Sequence, residues 1–186
     1  MKRIFDLLLC FVLILLLAAP MLFIAIVVRL TSKGSAIYWS DRVGKENKIF
    51  QMPKFRSMLI DTPCVATHLL IDTDIYLSPI GSFLRRSSID ELPQLFSVLK
   101  GDMSFIGPRP ALFNQDDLIS LRSEKGVDKL LPGITGWAQV NGRDAILLSD
   151  KVLLDIEYLK HQSMLFDLKI LWKTFLIVIK RDGVSH

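Results

Sequence analysis

Two adjacent carboxylates, Asp90 and Glu91, lie between a pair of arginines, Arg85 and Arg86, and a Gly107-Pro108-Arg109-Pro110 turn. Carboxylates beside arginines suit metal-assisted phosphate chemistry. Arginine grips phosphate through paired N–H groups. A hard cation such as Mg2+ takes its oxygens from carboxylates and from the substrate's own phosphates. At a helix start, the dipole and the nearby arginines favour ionised carboxylates, which leaves Asp90 available as a nucleophile at neutral pH and Glu91 as the ligand of the metal. The same spacing also fits a local role. Ser88 with Glu91 three residues later is a capping-box pattern, and Asp90 complements the helix dipole. Arg109 stands between two prolines, so a stiff turn fixes where its guanidinium points. Solvated surface charge is the alternative reading of Arg85, Arg86 and Arg109.

Several other chemistries find no support. There is no GxGxxG and no Walker A loop. The histidines His68, His161 and His186 lack metal-ligand spacing. No Ser-His-Asp arrangement can be traced. Of the two cysteines, Cys10 sits inside an apolar run, so a bridge to Cys64 is not expected. A net charge of +4 suits an anionic membrane surface and phosphate substrates and does not indicate nucleic acid.

The dyad must be positioned by the elements around it. Ile89, Leu92, Leu95, Phe96 and Leu99 recur at helical spacing, and Gly101 stops the pattern. Pro93 is tolerated only near a helix start, so the helix is expected to begin near Ser88–Asp90. Ala36–Ser40 and Lys48–Met58 read as extended, with Lys54 and Arg56 on one side. Asp61–Ser78 reads as a long surface loop and Pro79–Leu84 as a short connection. Phe113–Lys125, Lys151–His161 and Met164–Arg181 read as helices, and the glycine-rich Leu131–Arg143 as turns between short extended pieces. In the last helix Lys169, Lys173 and Lys180 share one face. That stripe suits a helix in a membrane interface with lysines reaching headgroups, or a core helix with a solvated edge.

A chain of 186 residues supports one domain plus an appendage, and 51% hydrophobic residues is high for a soluble domain. Leu7–Val28 accounts for much of the excess: it is uncharged and long enough to cross a hydrocarbon core of ~30 Å. A signal peptide fits poorly, because apolar residues continue past Ala18-Ala19-Pro20. Pro20 predicts a kink. Both flanks are basic, Lys2 and Arg3 before and Arg29 and Lys33 after, which places both ends on one side. A spanning helix and a re-entrant one both remain open. The expected division is residues 1–30 as membrane helix and 31–186 as catalytic domain.

Together these residues resemble the monotopic phosphoglycosyl transferases, the bacterial sugar transferase family. The matching pieces are Lys54–Met58 (KFRSM), Arg85–Gln94 (RRSSIDELPQ), Leu99–Pro110 (LKGDMSFIGPRP), Pro132–Arg143 (PGITGWAQVNGR) and Asp167-Leu168-Lys169. They occur in family order across nearly the whole chain, and the DELPQ to GPRP stretch is the most specific. The resemblance implies a mixed α/β (α+β), helix-rich small domain with short strands, a re-entrant N-terminal helix and interfacial amphipathic helices. It implies transfer of a phospho-sugar from a UDP-sugar to polyprenyl (undecaprenyl) phosphate with release of UMP, initiating glycan assembly. Asp90 would form a phosphosugar intermediate in a ping-pong cycle and Glu91 would bind Mg2+. Arg85, Arg109, Lys54 and Arg143 match phosphate- or substrate-binding positions, and Asp155 and Asp167 match supporting ones. Asp167 falls opposite the lysine stripe and is expected to face the protein.

The family's re-entrant helix breaks at a Ser-Pro pair, where this chain has Ala19-Pro20. The chain resembles the minimal catalytic form, placed at the bacterial inner membrane with the catalytic domain on the cytoplasmic face. Membrane lipids are implied partners, and a homo-oligomer is left open. Ala111–Gln115 (ALFNQ) is similar to members using N-acetylated, often 6-deoxy, amino sugars. The competing readings are a membrane-anchored, non-catalytic binding or scaffold protein and a metal-dependent nucleotide-sugar hydrolase.

Overall fold

A computed structural model of the chain describes residues 1–63, 74–142 and 147–180. Cys64, His68, Arg143, His186 and the side chain of Lys180 lie outside the described residues. The fold is α+β, as the resemblance implied. A long helix α1 (Lys2–Thr31) leads into an antiparallel hairpin of β1 (Ile37–Val43) and β2 (Ile49–Phe55). Then follow α2 (Gly81–Arg86), α3 (Gln94–Lys100), β3 (Ser104–Ile106), α4 (Asp116–Glu124), β4 (Gly133–Thr135), α5 (Trp137–Val140), α6 (Leu148–His161) and α7 (Met164–Lys180). β3 and β4 form a separate parallel pair, with Ser104 opposite Gly133 and Ile106 opposite Thr135.

α1 is long and apolar enough to cross a membrane by length and composition, and it continues through Pro20 as one helix. It is not detached from the rest of the chain. Its first half shares a core with Leu95, Val98, Met103, Phe105 and Ile106 through Cys10 and its neighbours. Its second half shares another with Phe55 and Leu84 through Met21 and Val28. The outward side is apolar as well, including Leu8, Leu15, Leu16 and Phe23. A helix apolar all round must be covered on every side.

Polar groups near the start of α1 lock its tip in place. Arg3 donates to the carbonyls of Val98 (2.6 Å) and Leu99 (2.9 Å) at the C-terminus of α3, where a cation complements the helix dipole. Buried Asp6 accepts the N–H of Phe105 on β3 (3.2 Å). Lys2 pairs with buried Asp167 of α7 at 2.6 Å, and the Tyr158 hydroxyl donates to the other Asp167 oxygen at 2.7 Å. Asp167 thus faces the protein, as expected. Lys2 and Arg3 serve as ties to the body, a use their place beside an apolar run does not reveal.

Three local expectations need correction. The continuous helix read over Ile89–Leu99 is two pieces, a single 3-10 turn over Ile89–Glu91 and then α3, with Pro93 as its N-cap. Proline lacks an N–H to continue the first turn into the second. The connection read over Pro79–Leu84 runs into α2, which begins at Gly81. There Gly81 lies so close to the Ser57 carbonyl that a side chain would collide with it. Lys169 and Lys173 of α7 do not point away from the body. Lys173 lies 4.5 Å from the Trp137 ring centre and Lys169 lies 5.4 Å from it, a favourable cation–π placement. The exposed side of α7 is apolar instead, with Leu165, Trp172, Phe175 and Ile179.

Candidate active site

The chain reverses sharply between α2 and the dyad. Ser88 takes a left-handed conformation (φ 56°) and makes no side-chain cap, so the capping box is not formed. Its carbonyl instead accepts the Glu91 N–H (3.2 Å). A left-handed non-glycine residue costs on the order of 1 kcal/mol and persists where the surroundings dictate the backbone. The two arginines at the end of α2 differ: Arg85 is half-buried and its charge reaches Asp90, while Arg86 is exposed.

Glu91 is the hub of the site. Its Oε1 accepts Lys54 Nζ from β2 (2.7 Å) and Arg109 Nη2 (2.8 Å). Two cations outcompete a backbone amide for this carboxylate, which is why it does not cap the turn. Burial opposes ionisation of Glu91, but Arg109 and Lys54 outweigh it and hold its carboxyl well below the usual range.

Asp90 is the contrary case. It is buried (6% exposed), and no ion pair or hydrogen bond engages its carboxylate among the described residues. Burial pushes its pKa up to about 6, and the Glu91 charge pushes the same way. Lys54, Arg85 and Arg109 oppose the rise without cancelling it. The pull of the arginines toward an ionised Asp90 is thus outweighed by desolvation, which sets the direction of the shift. Asp90 is still mainly ionised at pH 7, with its charge balanced by nearby cations and not quenched by a direct partner.

Arg109 is held by its backbone. In the Gly107–Pro110 turn, the Pro108 carbonyl accepts the Gly133 N–H (2.9 Å), the Arg109 carbonyl accepts Arg122 Nη1 (2.8 Å) and the Pro110 carbonyl accepts Arg42 Nη1 (3.2 Å). Gly107, Gly133 and Gly136 meet backbone to backbone, and a Cβ on any of them would strike the opposite chain. The Phe105–Pro110 and Pro132–Gly136 motifs are thus the two halves of one interlocked support.

Asp90, Glu91, Lys54, Arg85 and Arg109 converge. Asp155 stands one step behind them, paired with Arg122 (2.6 Å), which in turn holds the Arg109 carbonyl. Asp167 is placed at the tip of α1 and not at the dyad. Arg143 lies outside the described residues. Arg122, Lys2 and Tyr158 were not anticipated. Their partners lie 33, 165 and 9 residues away, and no local pattern marks them. Asp6, a lone acid bordering an apolar run, was the one visible hint of polar anchoring.

No group of three or more His, Cys, Asp or Glu suited to holding a metal occurs among the described residues. A Mg2+ that binds chiefly through substrate phosphates needs only one or two carboxylates. The donors fit that role: Glu91 spends Oε1 on its two cations, while its other oxygen accepts nothing among the described residues.

The sequence profile of a family described as bacterial sugar transferase matches residues 1–181. The chain is 37% identical over 201 residues to an undecaprenyl-phosphate galactose phosphotransferase of Salmonella typhimurium, covering 98% of this chain and 41% of the relative. It is 39% identical over 188 residues to an uncharacterized sugar transferase, EpsL, of Bacillus subtilis, covering 100% and 91%. It is 40% identical over 196 residues to an undecaprenyl-phosphate glucose phosphotransferase of Komagataeibacter xylinus, covering 100% and 36%. The chain therefore spans well under half of the two phosphotransferases and nearly all of the Bacillus protein.

Proposed function

The chain belongs to the bacterial sugar transferase family, and we propose that it transfers a phospho-sugar from a UDP-sugar to undecaprenyl phosphate, the first step of building a glycan on a lipid carrier. The named relatives act on undecaprenyl phosphate. The observation that carries the reading is Asp90: a buried carboxylate with no direct partner among the described residues, acted on by Lys54, Arg85 and Arg109, beside a carboxylate already committed to two of those cations.

In this mechanism an Asp90 oxygen attacks the sugar-side phosphorus of the donor. A new P–O bond to Asp90 forms, and the P–O bond to the bridging oxygen breaks. That oxygen keeps the electron pair and leaves with UMP. The phosphate oxygen of the lipid carrier then attacks the same phosphorus and releases the Asp90 carboxylate. Arg109 and Arg85 hold the donor phosphates, and Lys54 balances the charge of the dyad. Glu91, with the substrate's phosphate oxygens, would hold Mg2+, which when bound neutralises diphosphate charge.

A membrane setting brings a bilayer-confined acceptor to a soluble donor. Lys2 and Arg3 at one end of α1 and Val28 near the other touch the same body. A helix crossing the bilayer would carry one end ~30 Å away from it. This supports a helix that enters and leaves by one leaflet, with the dyad on the cytoplasmic side where nucleotide sugars are made.

The test is to incubate the protein with Mg2+ and a panel of UDP-sugars and to examine the Asp90 peptide by mass spectrometry. A phosphosugar adduct on Asp90 is expected, discharged by added undecaprenyl phosphate. Turnover without an adduct, together with an active Asp90→Asn variant, would sink the mechanism. One UMP per Asp90 is released without lipid in this cycle, so only continuous, multiple-turnover UMP release in the absence of lipid would favour the hydrolase reading.

A further inference from the structure

Arg122 is 8% exposed and lies on α4, not on the turn that carries Asp90 and Glu91. Its guanidinium is divided between two jobs. Nε (3.0 Å) and Nη2 (2.6 Å) both donate to Oδ2 of Asp155 on α6, which is 1% exposed. Nη1 donates to the Arg109 carbonyl at 2.8 Å. A buried ion pair is seldom kept for stability alone, since well-packed apolar residues of similar volume often hold a fold as well or better. Here a further N–H, on Nη1, reaches the backbone of Arg109, the residue whose side chain joins the Gly107–Pro110 turn to Glu91.

We propose that Arg122, oriented by Asp155, is a positioning residue that sets the backbone of Arg109 and thereby the aim of its guanidinium at the donor diphosphate. The pieces are independent in the chain. α4 and α6 supply the pair, and the turn supplies the acceptor between two prolines whose own φ angles are fixed. Neighbouring carbonyls are tied to Gly133 and Arg42, so the Arg109 peptide is the link Arg122 closes. A lysine at this position offers one ammonium where the guanidinium serves two acceptors in fixed directions. It can keep the charge of the pair but not the geometry. A displacement of about 1 Å in a substrate-positioning group costs on the order of 100-fold in rate.

The inference rests on the reading that Arg109 grips the donor phosphates, and the test separates the two. UDP with Mg2+ is the probe, and its affinity is measured by calorimetry on full-length protein in the Asp90→Asn background, so that turnover does not intrude. Arg122→Lys is expected to weaken UDP binding about 10-fold while the melting temperature stays within a few degrees. Should Arg122→Lys fail to fold, the Arg122→Met, Asp155→Leu pair, which leaves no lone buried charge, is made beside it and is expected to show the same loss. In an Arg109→Ala background neither change should weaken binding further, since coupled residues are not additive. Undiminished UDP affinity in the folded Arg122 variants would overturn the positioning role. So would an equal loss with and without Arg109, which is what a general packing defect produces. Undiminished affinity in Arg109→Ala alone would remove the reading beneath it, and the inference with it.

Discussion

The dyad and the tip of α1 are both built from buried acids and basic side chains, yet they treat charge in opposite ways. At the tip, Asp167 is saturated: Lys2 takes one oxygen and the Tyr158 hydroxyl the other. At the dyad, Glu91 takes two cations on a single oxygen, while Asp90 beside it takes none directly among the described residues. The saturated acid fastens two helices together. The unsaturated one keeps a carboxylate in a poorly solvated, cation-lined place, as the proposed attack on phosphorus requires. Burial alone does not distinguish structure from chemistry; how completely the buried charge is answered does.

The sharpest way to break this comparison is to neutralise each acid's side of it. Asp90→Asn should abolish turnover, by about 10,000-fold or more, measured as UMP release with undecaprenyl phosphate, without lowering the melting temperature. Next in size, Lys2→Met should cost about 3 kcal/mol, the low end for breaking a buried pair because Lys2 is 28% exposed. It should appear as a lower melting temperature in detergent, with kcat per folded molecule kept. A Lys2→Met protein that melts normally but turns over slowly would reverse the two assignments.

The smallest effect concerns pH. In the proposed mechanism Asp90 attacks as its carboxylate, so kcat/KM should fall about tenfold per unit as pH drops below about 6. Stability should move the other way. A carboxyl whose folded pKa is raised favours the folded state below its unfolded pKa, and that advantage is lost as pH rises through about 6. Asp90→Asn should therefore raise the melting temperature at pH 8 and have little effect at pH 4. A gain at pH 4 that vanished at pH 8 would contradict the assigned direction.

Much of the site was legible in the residues because its parts sit in compact motifs: Lys54 in one, Arg85, Asp90 and Glu91 in a second, Arg109 in a third. What their types could not convey was the balance of forces. Arginines near Asp90 suggested a carboxylate ionised at neutral pH, but they could not convey that burial, a tertiary quantity, lifts its pKa to about 6. Ser88 and Glu91 matched a capping box, but Lys54, far off in sequence, claims the glutamate. Periodicity placed Lys169 and Lys173 on one face of α7. It could not say that Trp137 would lie against that face and leave the apolar side outward. The Arg122–Asp155 pair joins two helices across a loop and has no sequence signature. α2 is six residues long, too short for a periodic signal to outweigh its glycine.

The grip of Arg3 and Asp6 has a practical consequence. Arg3 holds the end of α3, which follows the dyad, and Asp6 holds β3, which leads into the Arg109 turn. The apolar helix is therefore a strut of the catalytic framework and not a removable tether. A protein trimmed to begin after Thr31 for the sake of solubility would lose the brace on both sides of its active site. A helix borrowed from another membrane protein would have to bring the lysine, arginine and aspartate of this one along with its greasy length.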